Sequence, residues 1–352
     1  MKKEPSYIQI YNQIKKEIIE GTYEYGKKLP SKRQLAFDTE TSVITIEHAY
    51  SILLEEGYIE SKQRSGYFVA YRDKDWFLNT EVHEESTHIP HVNSVQDTIS
   101  FSVLSKTMRK VLSEYQEDIL MKSPNLGTEE LRIAISRYLR RNRNMDISPN
   151  QIVIGSGSEY LYSLIVQMLG TNRIYALENP CYEKIQKVYT SNGAHIEMLR
   201  MGKDGIQSKA LHRTRATVLH VTPYNSFPSG ISASVSKRKE YVHFAEERNG
   251  YVIEDDYDSE FSRSSKKVDT IYSLEPNKRI IYVNSFSKTI APSIRVGYMI
   301  LPKEESHALL KKIDFYSCTV PTFEQFVIAE LLNNGDFERH INRLRRKRNQ
   351  NL

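Results

Sequence analysis

The chain has 352 residues, a formal net charge of +5 and two cysteines. This length exceeds what one ordinary hydrophobic core supports, so we predict at least two domains. A hydrophobic fraction of 39% and a charged fraction of 26% are typical of a folded globular protein, and no long apolar run predicts a membrane span. Two cysteines exclude a disulfide framework and a cysteine-rich zinc site. Because the chain has two cysteines and no secretory signal opens it, we expect a cytoplasmic protein. Metal-binding spacings of His and Cys are absent, so we expect no bound metal.

Residues 1–72 have the pattern of a small three-helix domain that ends in a β-hairpin. Apolar residues repeat at helical spacing near the N-terminus, which predicts the first helix. Ser31 and Ser42 are suitable N-terminal caps for a second and a third helix. Two short β-segments at 58–61 and 67–70 complete the pattern of a winged helix-turn-helix.

A winged helix favours DNA binding, because its third helix can present side chains to base edges in the major groove. The domain carries eleven Lys or Arg against ten Asp or Glu, so the prediction depends on where the charges lie. The DNA-contacting residues that we predict are Ser31, Lys32, Arg33, Ser42, Val43, Thr45, His48, Arg64 and Gly66. A dimerisation or protein-binding role for the same three helices remains an alternative.

Four segments of this domain resemble the GntR-type winged helix. They are LPSKRQLA at 29–36, TIEHAY at 45–50, LEEGYI at 54–59 and GYFV at 66–69. Val43 stands where members of that family usually carry Arg, which implies a shifted operator preference. Arg64 stands where they usually carry Gly at the wing tip, which implies an added contact to a phosphate or to the minor groove.

Residues 73–100 are polar and weakly patterned, and we interpret them as a linker. From residue 101 to residue 352, strand-like and helical segments alternate. This alternation predicts an α/β fold with a mostly parallel sheet.

Three predicted strands in the second domain end in side chains typical of a cofactor site. The strand at 151–154 leads into a turn of small residues and a helix N-terminus, where free N–H groups and the helix dipole suit a phosphate. This turn consists of Ser156, Gly157 and Ser158. The strand at 251–257 carries Asp255 and Tyr257 on the same side. The Asp255 carboxylate could pair with a protonated pyridine nitrogen of a cofactor, and the Tyr257 phenol could donate a hydrogen bond to a phenolate oxygen.

The third strand, at 279–284, leads to Lys288. A lysine behind a buried strand can form a Schiff base with an aldehyde cofactor. Side chains that could bind the phosphate of such a cofactor follow at Ser285, Ser287 and Arg295. Each motif alone also fits a tight turn, a solvated strand end or a surface lysine, so the prediction depends on their order along the chain.

That order resembles the fold-type I aminotransferases, and specifically the MocR/GabR-type subfamily of GntR transcriptional regulators, over roughly residues 120–345. The resemblance implies pyridoxal 5'-phosphate as the cofactor, joined to Lys288, with Asp255 at the ring nitrogen and Tyr257 at the phenolate oxygen. It also implies that Tyr182 stacks on the ring. The implied cofactor-binding residues are Lys288, Asp255, Tyr257, Tyr182, Ser156, Gly157, Ser158, Ser285, Ser287 and Arg295.

Two departures from the family pattern bear on activity. Phe227 stands where aminotransferases commonly place an Asn, so one hydrogen bond to the cofactor is lost. The sequence ends in a basic run at 339–348, where family members begin a helix into a small C-terminal domain that supplies an arginine for the substrate carboxylate. We therefore expect this domain and its arginine to be missing. Lys184 is a candidate replacement or an ordinary surface lysine. The basic run is predicted to be a solvated helix face, with DNA binding as the alternative.

The expected fold is a winged helix-turn-helix followed by an α/β, fold-type I, aminotransferase-like large domain. The resemblance implies a transcriptional regulator that uses pyridoxal 5'-phosphate to sense an amine or amino acid. Its implied partners are double-stranded operator DNA and a second copy of the chain, with no membrane. Because the carboxylate arginine is missing, we expect a regulator without catalytic residues rather than an enzyme. The alternatives are an aminotransferase with an accessory DNA-binding domain and a DNA-binding protein with an inert cofactor domain.

Overall fold

The computed structural model describes residues 6–62, 65–71, 98–262 and 269–350. These residues form two compact units, one before residue 72 and one after residue 97. Most of the predicted linker, and Arg64 of the predicted wing, lie outside the described residues. Within the described ranges no helix is long and apolar enough to cross a bilayer. The same ranges contain no group of His, Cys, Asp and Glu side chains that could hold a metal ion.

The N-terminal unit has the predicted arrangement of three helices and a hairpin. Its elements are α1 (Ser6–Ile19), α2 (Lys32–Asp38), α3 (Val43–Glu55), β1 (Ile59–Lys62) and β2 (Gly66–Val69). Both predicted caps are confirmed, because the hydroxyl oxygens of Ser31 and Ser42 accept hydrogen bonds from the third residue after each of them, at 3.1 Å. The hairpin strands are displaced by one residue from the prediction. Gly66 pairs with Lys62 at a φ of +115°, a conformation that favours glycine.

The larger unit alternates helices and strands as predicted. Its elements are α4 (Phe101–Tyr115), α5 (Glu129–Arg143), β3 (Ile152–Gly155), α6 (Ser158–Leu169), β4 (Ile174–Asn179), α7 (Glu183–Ser191), β5 (His195–Arg200), α8 (Ser208–Arg213), β6 (Val218–Val221), α9 (Val235–Glu247), β7 (Tyr251–Asp255), α10 (Ile271–Leu274), β8 (Ile280–Ser285), β9 (Gly297–Ile300), α11 (Ser306–Leu310), α12 (Thr322–Asn333) and α13 (Asp336–Gln350).

Seven strands form one sheet in the order β3-β9-β8-β7-β6-β4-β5. Strand β9 is antiparallel to both of its neighbours, and all other pairs are parallel, so the prediction of a mostly parallel sheet is confirmed. Strand β7 ends at Asp255, two residues before the predicted end. The carboxyl ends of β4, β6, β7 and β8 therefore meet at one edge, where ligands commonly bind in open α/β sheets.

Both faces of the sheet are buried. Alternate residues of the central strands enter two separate apolar clusters, with Val252 and Tyr282 in one and Ile253 and Val283 in the other. This explains why the strands have continuous apolar sequences rather than alternating ones. The helices that cover the two faces fix the positions of the strand ends.

A buried ionic network stabilises the end of β7. The Arg143 guanidinium, at the end of α5, lies 3.4 Å from a carboxylate oxygen of Asp256 and 3.4 Å from one of Glu260. Tyr282 donates a hydrogen bond to Asp256 at 2.7 Å, and Asn284 donates one to Glu260 at 2.8 Å. All five side chains are buried, so each carboxylate depends on these partners to offset the cost of its removal from water.

The basic run in α13 is not simply a solvated face, and the prediction is wrong for two of its side chains. Arg345 donates a hydrogen bond to the backbone oxygen of Glu260 at 2.5 Å. The Arg348 guanidinium lies 4.2 Å from the ring centroid of Phe261 and 3.8 Å from the Asp258 carboxylate. Helical spacing places these two arginines on the side of α13 that packs against the segment after β7.

We expect Arg143→Met to lower the free energy of unfolding by about 3–5 kcal/mol, because two buried carboxylates would lose their cation. Urea unfolding followed by circular dichroism measures this loss. Arg140→Met is the matched control, since Arg140 pairs with Asp146 while 68% and 81% of the two side chains are exposed. This control should cost less than about 1 kcal/mol. Equal losses in the two variants would contradict our account of the network.

Candidate cofactor site and DNA-binding surface

A cavity of about 290 Å³ lies at the edge where the carboxyl ends of the central strands meet. Seven of the ten residues predicted for cofactor binding line it, namely Ser158, Tyr182, Asp255, Tyr257, Ser285, Ser287 and Lys288. These residues come from four different segments of the chain. Tyr162, Ile185, Thr222 and Phe227 also line the cavity and were not among the predicted cofactor residues.

Lys288 lies over the ring of Tyr257, with its Nζ 4.2 Å from the ring centroid. The same ammonium forms an ion pair with Asp258, which the sequence analysis had not assigned a role. Asn225 donates a hydrogen bond to the other carboxylate oxygen of Asp258 at 2.5 Å, and Tyr257 donates one to the backbone oxygen of Asn225 at 3.0 Å. The only sequence signal for Asp258 was its position in the acidic run after β7.

Asp255 is buried at the wall of the cavity. Tyr162 on α6 donates a hydrogen bond to its Oδ2 at 2.5 Å. Behind the carboxylate, His220 Nε2 lies 3.7 Å from Oδ2, and His220 Nδ1 is hydrogen-bonded to the Tyr189 hydroxyl at 2.8 Å. Burial raises the pKa of the Tyr162 phenol well above its ordinary value, and Asp255 raises it further, so this phenol stays a neutral donor. Tyr162 thereby fixes the orientation of the Asp255 carboxylate.

The turn before α6 provides the geometry of an anion site. Gly157 has a φ of +91°, and a Cβ at this position would lie 3.0 Å from Nη2 of Arg295. A side chain at residue 157 would thus crowd the guanidinium, and only glycine fits easily. Arg295 pairs with Glu159 at 3.2 Å, and Lys184 pairs with the other oxygen of Glu159 at 3.1 Å. Two cations and the first turn of α6 therefore converge on this place.

Other predicted groups at this end of the cavity already have backbone or side-chain partners. The N–H of Ser156 donates to the hydroxyl of Thr319 at 3.2 Å. The hydroxyl of Ser287 donates to the backbone oxygen of Ile294 at 2.8 Å, and the N–H of Ser285 donates to Asn284. The roles of all these residues towards a cofactor stay predictions.

Two aromatic side chains form the mouth of the cavity. Tyr182 and Phe227 make an edge-to-face contact, with ring centroids 6.0 Å apart. Glu178 at the end of β4 lies behind them and accepts a hydrogen bond from the Ser226 hydroxyl at 2.5 Å. Burial raises the pKa of Glu178 to about 8, although the hydrogen bond from Ser226 opposes this shift. Glu178 thus joins the segment that carries Tyr182 to the loop that carries Phe227.

Most of the residues predicted to contact DNA lie in α2, in α3 and at the caps of these helices. Arg33 and His48 are exposed, and the His48 ring lies 5.8 Å from the Tyr7 ring in an edge-to-face contact. The Lys32 ammonium pairs with Glu47 at 2.5 Å. The caps Ser31 and Ser42, the first-turn residues Val43 and Thr45, and Gly66 at the start of β2 complete the described part of the predicted set.

The two units and the cavity define a protein that joins a DNA-binding module to an aminotransferase-like domain. The family model described as "Bacterial regulatory proteins, gntR family" matches residues 6–69, and the model described as "Aminotransferase class I and II" matches residues 96–352. The chain belongs to the GntR transcriptional regulators of the MocR/GabR type. It is thus a DNA-binding regulator with an aminotransferase-like domain, as predicted.

Two relatives and one solved structure illustrate this placement. The HTH-type transcriptional regulator YdeL of Bacillus subtilis is 33% identical over 97% of this chain and 76% of its own length. The probable rhizopine catabolism regulatory protein MocR of Rhizobium meliloti is 26% identical over 97% of this chain and 74% of its own length. The multiple substrate aminotransferase of Thermococcus profundus superposes with a TM-score of 0.64 and 22% identity over 71% of this chain. This last likeness shows the fold, and the chain spans 65% of that enzyme's length.

We expect Glu178→Gln to weaken the pH dependence of stability. Because folding raises the pKa of Glu178 from 4.5 to about 8, the folded chain binds more protons than the unfolded chain between these pH values. The free energy of unfolding therefore falls as the pH rises through this window, by about 1 kcal/mol per pH unit for one such group. The buried Glu254, whose pKa burial also raises to about 8, adds a similar loss.

Urea unfolding at pH 5.5, 7 and 8.5 measures this slope, which should be smaller in Glu178→Gln than in the wild type. The control is Glu183→Gln, since 74% of the Glu183 side chain is exposed and its removal should leave the slope unchanged. A slope in Glu178→Gln as steep as that of the wild type would refute the assignment.

Proposed function

We propose that this regulator holds pyridoxal 5'-phosphate in the cavity on Lys288, binds operator DNA through its N-terminal unit, and responds to an amine or amino acid. The supporting observation is that the Lys288 amine and the oriented Asp255 carboxylate line one cavity at the carboxyl edge of the sheet. The Arg295 guanidinium lies beside Gly157, in the turn that leads to Ser158 on the wall of this cavity. A cavity of about 290 Å³ that combines aromatic walls with a few polar groups is typical of a small-molecule site.

Each group suits one part of the cofactor. Pyridoxal phosphate supplies an aldehyde that condenses reversibly with primary amines. Arg295 and the first turn of α6 would hold its phosphate, and the glycine at residue 157 leaves room for the guanidinium beside that turn. Asp255, oriented by the Tyr162 hydroxyl, would keep a proton on the ring nitrogen. The Tyr182 ring, at the mouth of the cavity, would cover one face of the cofactor.

Asp258 has a part in the response to the effector. Bound pyridoxal phosphate would supply an aldehyde for which Lys288 and an amine effector could compete, and a Lys288 ammonium left free would then need a counter-ion. Asp258 forms an ion pair with the Lys288 ammonium and is itself held by Asn225, so it can accept the displaced lysine. An effector can shift DNA binding only by its different affinity for two arrangements of the protein. We propose that these arrangements belong to a homodimer.

We expect Lys288→Ala to abolish covalent attachment of the cofactor. The wild-type chain, incubated with pyridoxal phosphate and reduced with borohydride, should carry the cofactor on the peptide that contains Lys288 in mass spectrometry. The variant should carry none and lack the absorption band of the bound cofactor. The control is Lys187→Ala, which removes an exposed lysine from α7 and should leave the labelling intact. Labelling of other lysines alone in the wild type would contradict the proposed site.

We expect Arg33→Ala to weaken binding to an operator duplex and to lower the salt dependence of binding. A lost phosphate contact reduces the slope of log affinity against log salt concentration by about 0.9. Fluorescence anisotropy at several salt concentrations measures both effects. Arg140→Ala removes the same charge from the larger unit and should change neither quantity. Unchanged affinity and slope in Arg33→Ala would show that the DNA-contacting surface lies elsewhere.

A further inference from the structure

The first turn of α3 exposes two adjacent apolar side chains. Val43 is 42% exposed and Ile44 is 66% exposed, whereas the residues of α3 that face the core, such as Ile46 and Leu53, are fully buried. Both side chains are β-branched, so they lose little rotamer freedom on binding because the helix already restricts them. An exposed apolar pair at the start of this helix contributes nothing to the core of the unit.

The polar side chains around this pair are already engaged with each other. The Ser42 hydroxyl accepts a hydrogen bond from the backbone N–H of Thr45 at 3.1 Å, and the two hydroxyl oxygens lie 2.8 Å apart. The Glu47 carboxylate pairs with Lys32 at 2.5 Å. The hydroxyl and carboxylate groups of this turn are therefore occupied, whereas the methyl groups of Val43 and Ile44 remain exposed for contact with a partner.

We propose that Val43 and Ile44 select thymine by contact with its C5 methyl group in the major groove. The thymine methyl is the apolar feature of the major-groove edge, and apolar side chains recognise it there. This inference rests on the proposed function, in which α3 enters the major groove of an operator. It deepens that function by assigning the base preference to two apolar side chains rather than to the hydroxyls of Ser42 and Thr45.

The residues around Val43 and Ile44 favour double-stranded DNA, rather than an apolar protein surface, as the partner that contacts this pair. The unit belongs to a DNA-binding family over residues 6–69. The exposed Arg33 on the neighbouring helix α2 supplies a cation for phosphate, and the positive end of the α3 dipole lies at the same turn as the apolar pair. A surface that combines positive charge with two small apolar contacts matches a groove lined by phosphates and methyl groups.

Deoxyuridine provides the test, because it differs from thymidine only by the missing C5 methyl group. A duplex is first selected in vitro from random DNA with the purified full chain, and the contacted half-sites are mapped by footprinting. Each contacted thymine is then replaced by deoxyuridine, and the affinity is measured by fluorescence anisotropy. We expect a loss of about fourfold at one or two thymines of each half-site, the effect of withdrawing one methyl group from an apolar contact.

The variants Val43→Ala and Ile44→Ala connect this loss to the two side chains. Each should bind the thymine duplex more weakly and should no longer distinguish thymine from deoxyuridine at one of the sensitive positions. Val43→Thr keeps the shape of the side chain and should retain part of the discrimination. Ile19→Ala, which removes an exposed apolar side chain from the end of α1, should retain all of it. Thermal unfolding of each variant checks that the unit remains folded.

Two results would overturn the inference while leaving DNA binding intact. One is a tightly bound duplex whose affinity is unchanged by deoxyuridine at every contacted thymine, a measurement on the wild type that needs no variant. The other is the same loss on deoxyuridine substitution in the wild type and in both alanine variants. If the selection instead yields no bound duplex, the proposed function fails, and the inference fails with it.

Discussion

The larger unit depends on how two adjacent carboxylates are buried at the end of β7. Asp255 faces the cavity and is held by Tyr162, whereas Asp256 contacts Arg143 and Tyr282 on the other side. A buried carboxylate is costly unless it is paired or hydrogen-bonded, so this strand end can exist only with both sets of partners in place. The same interactions that stabilise the fold therefore fix the direction of the carboxylate that lines the candidate site.

The two cations of the candidate site, Lys288 and Arg295, each have a carboxylate partner as well. Lys288 pairs with Asp258, and Arg295 pairs with Glu159. An anion bound at the turn before α6 would compete with the Glu159 carboxylate for Arg295, and a group joined to Lys288 would compete with Asp258 for it. Binding of the proposed cofactor would thus exchange existing ion pairs for new ones. Such an exchange is a local electrostatic change of the kind that ligand-controlled proteins use to shift between conformations.

The two units differ in the charge of the surfaces that we propose for ligand binding and for DNA binding. The cavity of the larger unit presents charged groups whose partners are buried nearby, which suits a small polar ligand. The N-terminal unit is nearly neutral overall, so a general positive field does not account for DNA binding, and our proposal depends on a few exposed groups such as Arg33. The exposed side chains of Val43 and Ile44 make the first turn of α3 apolar.

Sequence reasoning was enough to predict the helix starts at Ser31 and Ser42, the mostly parallel sheet, and the residues Asp255, Tyr257 and Lys288 that line the cavity. These features were predictable because caps, apolar periodicity and motif spacing depend on neighbours along the chain. Three features were visible only once the chain was folded: Tyr162 and His220 lie against Asp255, Asp258 pairs with Lys288, and Arg345 and Arg348 pack inward. Such partners are far apart in sequence, and they meet only because the strand order brings particular strand ends together.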